Sequence, residues 1–316
     1  MGNHPCHAQA HQGSPSFRSH SIMQHRIAFI GLGAMGGAMA ETLLKKQYNV
    51  TGYDTRPEAV ARLDARGGKG AASVEEAARD ANVLILMVVN ADQAENVLFE
   101  RLALEALAPD ATVVICSTCS PDRVAAIAQK VERSGRSFID APVSGGVSGA
   151  STGTLTIMAA ARKSVFEKTK PILLAMGSSL FHLGETPGQG AAMKVVNQLL
   201  CGIHIAAAAE GLAFAERAGI DPKQALEVLS GSAAQSWMLK ARGPRMVDYD
   251  DMVTSAVDIF VKDLGLVLES GRASKMALPL AAMAHQLFLA ASGMGHGHED
   301  DSQVIETYRA LMRKKD

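Results

Sequence analysis

The chain has 316 residues, more than one ordinary domain, and its 31 basic side chains against 32 acidic ones leave a net charge of −1. No lysine and arginine block gathers on one face, which argues against nucleic acid or an anionic membrane as partner and leaves a small molecule. Four cysteines in this length do not make a disulfide scaffold and point to a reducing, cytoplasmic compartment.

Residues 1–25 hold five of the ten histidines and no apolar stretch of the kind a secretory signal carries, so they are expected to form an unstructured tail, with Met23 as an alternative start. From Arg26 strand and helix patterns alternate. Strands are expected at 27–30, 50–53, 83–89, 113–116 and 137–141, and helices at 34–46, 57–66, 74–81, 91–107 and 121–134. Two further strands, 155–160 and 180–183, flank a helix at 164–176. The apolar strands are continuous rather than alternating, which implies a parallel sheet covered on both faces. The most apolar run, 83–89, is too short to cross a bilayer, and no segment of about twenty apolar residues is expected elsewhere.

A proline-free stretch, 190–219, follows a glycine-rich hinge (Gly184, Gly188, Gly190) and predicts one long helix joining two domains. Beyond it only helical periodicity appears, at 222–230, 233–241, 255–274, 279–292 and 302–314. The expected architecture is α/β: a doubly wound, mostly parallel sheet over 26–187, a long interdomain helix, and an all-α substrate and oligomerisation domain over 188–316. Its alanine- and methionine-rich helices suggest a homodimer or homotetramer.

Gly31-Leu32-Gly33-Ala34-Met35-Gly36 follows a strand and opens a helix, the context in which G-x-G-x-x-G cradles a dinucleotide pyrophosphate. Asp54, at the end of the second strand, is placed to accept from both ribose hydroxyls and to repel a 2′-phosphate. That favours NAD, while Arg56 keeps NADP open. Taken alone, Asp54 is also an ordinary cap for the helix starting at Pro57. Asp140-Ala141-Pro142-Val143-Ser144-Gly145-Gly146 is either a turn or a set of backbone amides for a carboxylate. Lys194, in the first turns of the long helix, reads by itself as a solvated charge. Cys116 and Cys119 form C-x-x-C without a thioredoxin-like setting or a second pair for zinc, so no metal site is expected. Trp237 reads as a core aromatic sooner than a pocket wall, and His204 and His285 as core or interface residues.

Together Gly31–Gly36, the Asp140–Gly146 loop, the glycine-rich lead into Lys194, and Phe260-Val261-Lys262-Asp263-Leu264 resemble the 3-hydroxyisobutyrate dehydrogenase family, related to 6-phosphogluconate dehydrogenase. The stretches Val88-Val89-Asn90-Ala91, Asn197-Gln198-Leu199-Leu200 and Ser255-Ala256-Val257-Asp258-Ile259-Phe260 resemble its branch acting on L-threonate. The resemblance implies a Rossmann-type dinucleotide domain and NAD-dependent oxidation of a small hydroxy acid, with Lys194 as general acid/base. L-threonate, oxidised to its 2-oxo acid, is the first expectation. Alternatives are 3-hydroxyisobutyrate dehydrogenase, tartronate semialdehyde reductase, and a non-catalytic dinucleotide-binding scaffold.

The resemblance further implies that Ser144, Gly145 and Gly146 hold the carboxylate and that Val89, Asn90, Ser117, Thr118 and Lys262 lie near the cofactor. For Ser117 and Thr118 a turn and cap before Pro121 is an equal reading, and Asp263 reads as a partner of Lys262 or a helix-face charge. The family has Asn four residues after the lysine, where this chain has Gln198, with Asn197 one residue earlier. Both amides are candidates for substrate binding.

Overall fold

The structure is a computed structural model that describes residues 25–249 and 251–312. Residues 1–24 of the tail expected at 1–25, Met23 among them, and the end of the last expected helix lie outside the described residues.

Among the described residues nine strands form one sheet: β1 (Arg26–Ile30), β2 (Asn49–Tyr53), β3 (Lys69–Gly70), β4 (Val83–Leu86), β5 (Thr112–Ile115), β6 (Ser137–Asp140), β7 (Val143–Ser144), β8 (Thr156–Ala160) and β9 (Ser179–Gly184). Their order is β3-β2-β1-β4-β5-β6-β8-β7, with β9 beside β8. The first six are parallel throughout, whereas β8 runs antiparallel to β6 and β7. Eight helices accompany the sheet: α1 (Ala34–Lys45), α2 (Pro57–Ala65), α3 (Val74–Ala78), α4 (Ala91–Glu95), α5 (Ala103–Ala106), α6 (Pro121–Arg133), α7 (Gly146–Thr152) and α8 (Lys163–Met176).

Every residue of β4 and β5 is buried because helices cover both faces. Alternate residues of β1 enter opposite layers: Ile27 and Phe29 pack with Met39 and Leu43, while Ala28 and Ile30 pack with Leu84 and Phe138. The register sets Ile30 beside Tyr53 and Leu86, Leu86 beside Ile115, and Ile115 beside Asp140. The strands therefore end together, and the order in which successive strands are added reverses between β1 and β4. A crevice opens at such a switch point.

Several expected elements differ in detail. The helix expected at 91–107 breaks into α4, a wide turn at Asn96–Glu100, and α5, because Leu102 takes a left-handed conformation (φ 58°). The strand expected at 83–89 stops at Leu86, and 87–90 line the crevice instead. The sequence also carried no pattern for β3, β7 and α7, which span only two, two and seven residues.

The C-terminal half consists of α9 (Gln189–Arg217), α10 (Pro222–Gly231), α11 (Trp237–Val247), α12 (Val257–Ala273), α13 (Pro279–Ala291) and α14 (Ile305–Met312). At 29 residues α9 is the spine, packed against α11, α12 and α13 through Ile205, Ala209, Leu212, Phe260, Leu264 and Phe288. Gly202 permits the close approach, since a Cβ there would sit 2.7 Å from Leu264 Cδ2. An 18-residue window of α9 reaches a mean hydropathy of 1.4, which corrects the expectation that no segment is long and apolar enough to cross a membrane. Half of that window is buried, and the apolar character serves the packing of the helical domain.

The helix expected at 233–241 starts later, where Ser236 Oγ accepts from Leu239 N at 3.0 Å. Trp237, expected in the core, is 59% exposed at the start of α11. His204 is exposed on α9, and His285 Nε2 lies 3.1 Å from the Val261 carbonyl.

Candidate active site

The turn after β1 is built for close backbone approach. Gly31 has φ +93°, and a Cβ there would lie 2.3 Å from the Met87 carbonyl oxygen; one on Gly36 would lie 1.9 Å from the Gly31 oxygen. Both positions demand glycine for packing. At Gly33 the nearest heavy atom to such a Cβ is Arg56 Nη2 at 3.5 Å, so that glycine leaves open space above the turn. Gly33 is the N-cap of α1 and no side chain caps it, which leaves first-turn N–H groups for an anion. Leu32 sends its side chain into the core, Ala34 is exposed, and Met35 is half-buried.

Asp54 stands across this turn. Its Oδ2 accepts from Leu32 N at 2.7 Å, and its Oδ1 accepts from Arg56 N at 2.9 Å and Arg56 Nε at 3.1 Å. Burial works to raise its pKa, but these hydrogen bonds and the guanidinium charge outweigh it and hold the carboxyl below the ordinary value. A cleft of about 780 Å³ runs from Gly31 and Gly33 past Asp54 and Arg56 to Val88, Val89 and Asn90. Arg101 and Tyr53 close one wall, with Arg101 Nη1 3.3 Å from the Tyr53 hydroxyl. No sequence signal announced that pair, which lies 48 residues apart.

The loops after β4 and β5 are mutually braced. Ser117 is 1% exposed, and its Oγ accepts from Val88 N at 2.8 Å, so its hydroxyl fixes the loop. Asn90 caps α4 by accepting from Gln93 N at 2.9 Å, while Gln93 Oε1 accepts from Val89 N at 3.0 Å. Lys262 reaches in from α12: its Nζ donates to the carbonyls of Val89 at 2.8 Å and Thr118 at 3.3 Å. Val89, Thr118 and Lys262 thus meet at one end of the cleft.

Ser144 ends β7, and Gly145 (φ +129°) and Gly146 (φ +64°) turn the chain into α7, a conformation that favours glycine. Asp140, whose place in this loop was plain in the sequence but whose role was not, ties the loop to the spine. Its buried Oδ2 accepts from Gly188 N at 3.0 Å and Ala191 N at 2.8 Å, capping α9.

Two turns into α9 lies a buried polar cluster. Lys194 is only 7% exposed, which overturns its reading as a surface charge. Its Nζ donates to Gln198 Oε1 at 2.7 Å, and Gln198 Nε2 donates to Asp263 Oδ2 at 2.6 Å. Asn197 Nδ2 donates to Gln198 Oε1 at 2.8 Å and lies 3.4 Å from Cys201 Sγ. Lys262 Nζ stands 2.9 Å from Asp263 Oδ1. Burial pushes the Lys194 pKa below the ordinary lysine value; Asp263 and Cys201 oppose this, and Lys262 adds to it. A desolvated lysine, linked through Gln198, Asp263 and Lys262 to the Val89 loop of the cleft, can exchange a proton with a bound hydroxyl or carbonyl.

Residues 26–184 match the NAD binding domain of 6-phosphogluconate dehydrogenase. Residues 188–308 match the NAD-binding region of NADP-dependent 3-hydroxyisobutyrate dehydrogenase. The chain belongs to the 3-hydroxyisobutyrate dehydrogenase family. It is similar to an L-threonate dehydrogenase of Cupriavidus necator, with 42% identity over 92% of this chain and 98% of that protein. A second L-threonate dehydrogenase, from Pectobacterium atrosepticum, is 39% identical over 91% of this chain and 95% of that one. A crystal structure described as 3-hydroxyisobutyrate dehydrogenase from Salmonella typhimurium superimposes with a TM-score of 0.85 at 41% identity, covering 89% of this chain and 99% of that one. As a member of this family the chain is an NAD(P)-dependent hydroxy-acid dehydrogenase. Among the described residues no group of three or more His, Cys, Asp or Glu side chains is placed to hold a metal ion.

Proposed function

We propose that this dehydrogenase oxidises L-threonate at its C2 hydroxyl to the 2-oxo acid, with NAD as acceptor and Lys194 as general acid/base. The observation that carries the reading is the buried Lys194, its pKa depressed by burial, joined through Gln198, Asp263 and Lys262 to the Val89 carbonyl at the cleft. When bound, the nicotinamide cofactor supplies the hydride acceptor. The residues present fit such a group: Gly31, Gly33 and the uncapped start of α1 suit the pyrophosphate, and Asp54 the ribose. Val89 and Asn90 border the far end of the cleft, where Lys262 binds the carbonyls of Val89 and Thr118, while Ser117 supports the wall from behind.

Lys194 in its neutral form takes the hydroxyl proton as hydride leaves carbon, and its ammonium form returns one in the reverse direction. The Ser144–Gly146 turn is assigned to the substrate carboxylate, with Asn197 and Gln198 on the side of Lys194. NAD is favoured because Asp54 is held ionised where a 2′-phosphate would lie, and because Arg56 is already engaged by that carboxylate. L-threonate is favoured over 3-hydroxyisobutyrate by the greater likeness to L-threonate dehydrogenases, 42% identical for that of Cupriavidus necator against 34% for a 3-hydroxyisobutyrate dehydrogenase of Pseudomonas aeruginosa. The chain is further proposed to act in a reducing, cytoplasmic setting as a homodimer or homotetramer, a reading supported by the free thiols of Cys116 and Cys119 and by exposed apolar side chains such as Leu280 and Met283.

Steady-state assays with NAD and NADP across L-threonate, 3-hydroxyisobutyrate and tartronate semialdehyde test the assignment. Much faster turnover of 3-hydroxyisobutyrate than of L-threonate would overturn the substrate. Lys194→Ala tests the mechanism, since unchanged turnover by that variant would remove the lysine from the chemistry.

A further inference from the structure

We propose that Gln198 is a positioning residue, held by Asp263 on one side and holding Lys194 on the other, so that Asn197 is the amide left to meet the substrate. The inference rests on the reading of Lys194 as acid/base. The three side chains are buried, at 7% exposure for Lys194, 7% for Gln198 and 2% for Asp263. The contacts from Gln198, 2.7 Å to Lys194 and 2.6 Å to Asp263, are both short.

The orientation of the amide follows from the chemistry of its neighbours. An ionised carboxylate only accepts, so Asp263 requires the NH₂ end of Gln198 to face it. The carbonyl end then faces Lys194, whose amine donates to it whether charged or neutral. This matters for oxidation. A neutral lysine that spends an N–H on Gln198 Oε1 is restricted in how it points its lone pair, and that lone pair takes the substrate proton.

Glutamine is needed for reach. Spacing of four stacks residue 198 over Lys194 on the face of α9. The bond to Asp263 crosses to α12, 65 residues away in sequence. An asparagine here is one methylene shorter and loses one of the two contacts. With both ends of Gln198 engaged, Asn197, half-buried one residue earlier, spends its Nδ2 on Gln198 and Cys201 and keeps its Oδ1 for the substrate. The chain of contacts continues from Asp263 to Lys262 and on to the carbonyls of Val89 and Thr118 at the cofactor cleft.

The groups that face Lys194 set the direction of the pH effect. Asp263 and Lys262 face it from α12 and Cys201 from its own helix, with Arg242 of α11 acting on Cys201. Losing the Asp263 charge, or the Gln198 carbonyl that accepts from the ammonium, makes the neutral amine easier to reach. The acid limb of kcat/KM for oxidation then moves to lower pH.

The test is the pH dependence of steady-state oxidation by Gln198→Asn, Asp263→Asn and the double variant, with Lys194→Ala as control and folding followed by circular dichroism. Gln198→Asn is expected to lower kcat about 10²-fold with a small change in KM for the hydroxy acid. Each single variant is expected to shift the acid limb down by about one pH unit. The double variant should add little to the larger single effect, because both changes cut one connection. A large rise in KM with unmoved kcat and pH profile in Gln198→Asn makes Gln198 a substrate ligand and overturns the proposal. If that variant does not fold, Asp263→Asn decides alone, and an unmoved acid limb overturns it. Full turnover by Lys194→Ala instead strikes the underlying reading, a separate and distinguishable failure.

Discussion

The carboxylate of Asp140 accepts a hydrogen bond from the backbone N–H of Ala191 at 2.8 Å, joining the last residue of β6 to the first turn of α9. The sheet edge that carries the Ser144 turn and the helix that carries Lys194 therefore share an anchor. Gly190 makes the approach possible, since a Cβ there would lie 2.4 Å from the Met158 carbonyl oxygen and 3.0 Å from Asp140 Oδ2.

Asp140→Ala should destabilise the fold by about 1–3 kcal/mol, because it leaves buried N–H groups unpaired. The pH dependence is specific. Burial pushes the Asp140 pKa up to about 7 from an ordinary 3.8, even though backbone N–H groups of Ala191, Gly188 and Gly190 favour the ionised form. A carboxyl raised on folding gives a stabilising contribution that is complete below the unfolded value and is lost as pH rises through the folded one. Relative to wild type, Asp140→Asn should gain about 1.4 kcal/mol per pH unit as pH rises from about 4 to 7. Denaturant titrations of both proteins across that range check the trend, and parallel curves would refute it.

Glycines of the phosphate turn should separate stability from binding. Gly36→Ala meets the Gly31 oxygen at 1.9 Å and should lower the Tm by many degrees or prevent folding. Gly33→Ala meets nothing closer than 3.5 Å and should keep a nearly normal Tm while weakening dinucleotide binding about tenfold or more. Thermal melts beside fluorescence titration with NADH distinguish the two.

Asp54 should govern the choice between NAD and NADP. Removing the charge in Asp54→Asn relieves repulsion of a 2′-phosphate and releases Arg56, whose Nε is now 3.1 Å from Asp54 Oδ1. The ratio of kcat/KM for NAD over NADP should fall about 5- to 30-fold, roughly the worth of one or two kcal/mol at a partly exposed site. An unchanged ratio would place the discrimination elsewhere.

Lys262 should act on both the cleft and the lysine. Lys262→Met removes the donor to Val89 and Thr118 and takes away a positive neighbour that depresses the Lys194 pKa. The acid limb for oxidation should therefore move to higher pH, opposite in sign to the effect of Asp263→Asn. Faster hydrogen exchange at residues 88–90 and 117–119 should accompany it.

Much of this architecture was legible from one-dimensional patterns. Apolar runs bounded by glycine located the parallel strands, and the turn from Gly31 to Gly36 followed by Asp54 located the dinucleotide cleft. A proline-free run located α9, because helix propensity and strand patterning are local and survive in sequence. Local reading failed where a single residue changed the outcome. Leu102, in a left-handed conformation, broke an expected long helix, and Trp237, assigned to the core by its size, lies on the surface.

The sequence by itself determined the order of the elements, the glycine turn, and the presence of a lysine followed by Asn197 and Gln198 on one helix. Only the tertiary structure decided that Lys194 is buried, that Gln198 spans from it to Asp263, and that Asp140 caps the helix bearing both. The reason is range. Helix and strand arise from contacts within a few residues, whereas desolvation and the bonds that set a proton's position depend on groups 48 to 65 residues apart, brought together only by tertiary packing.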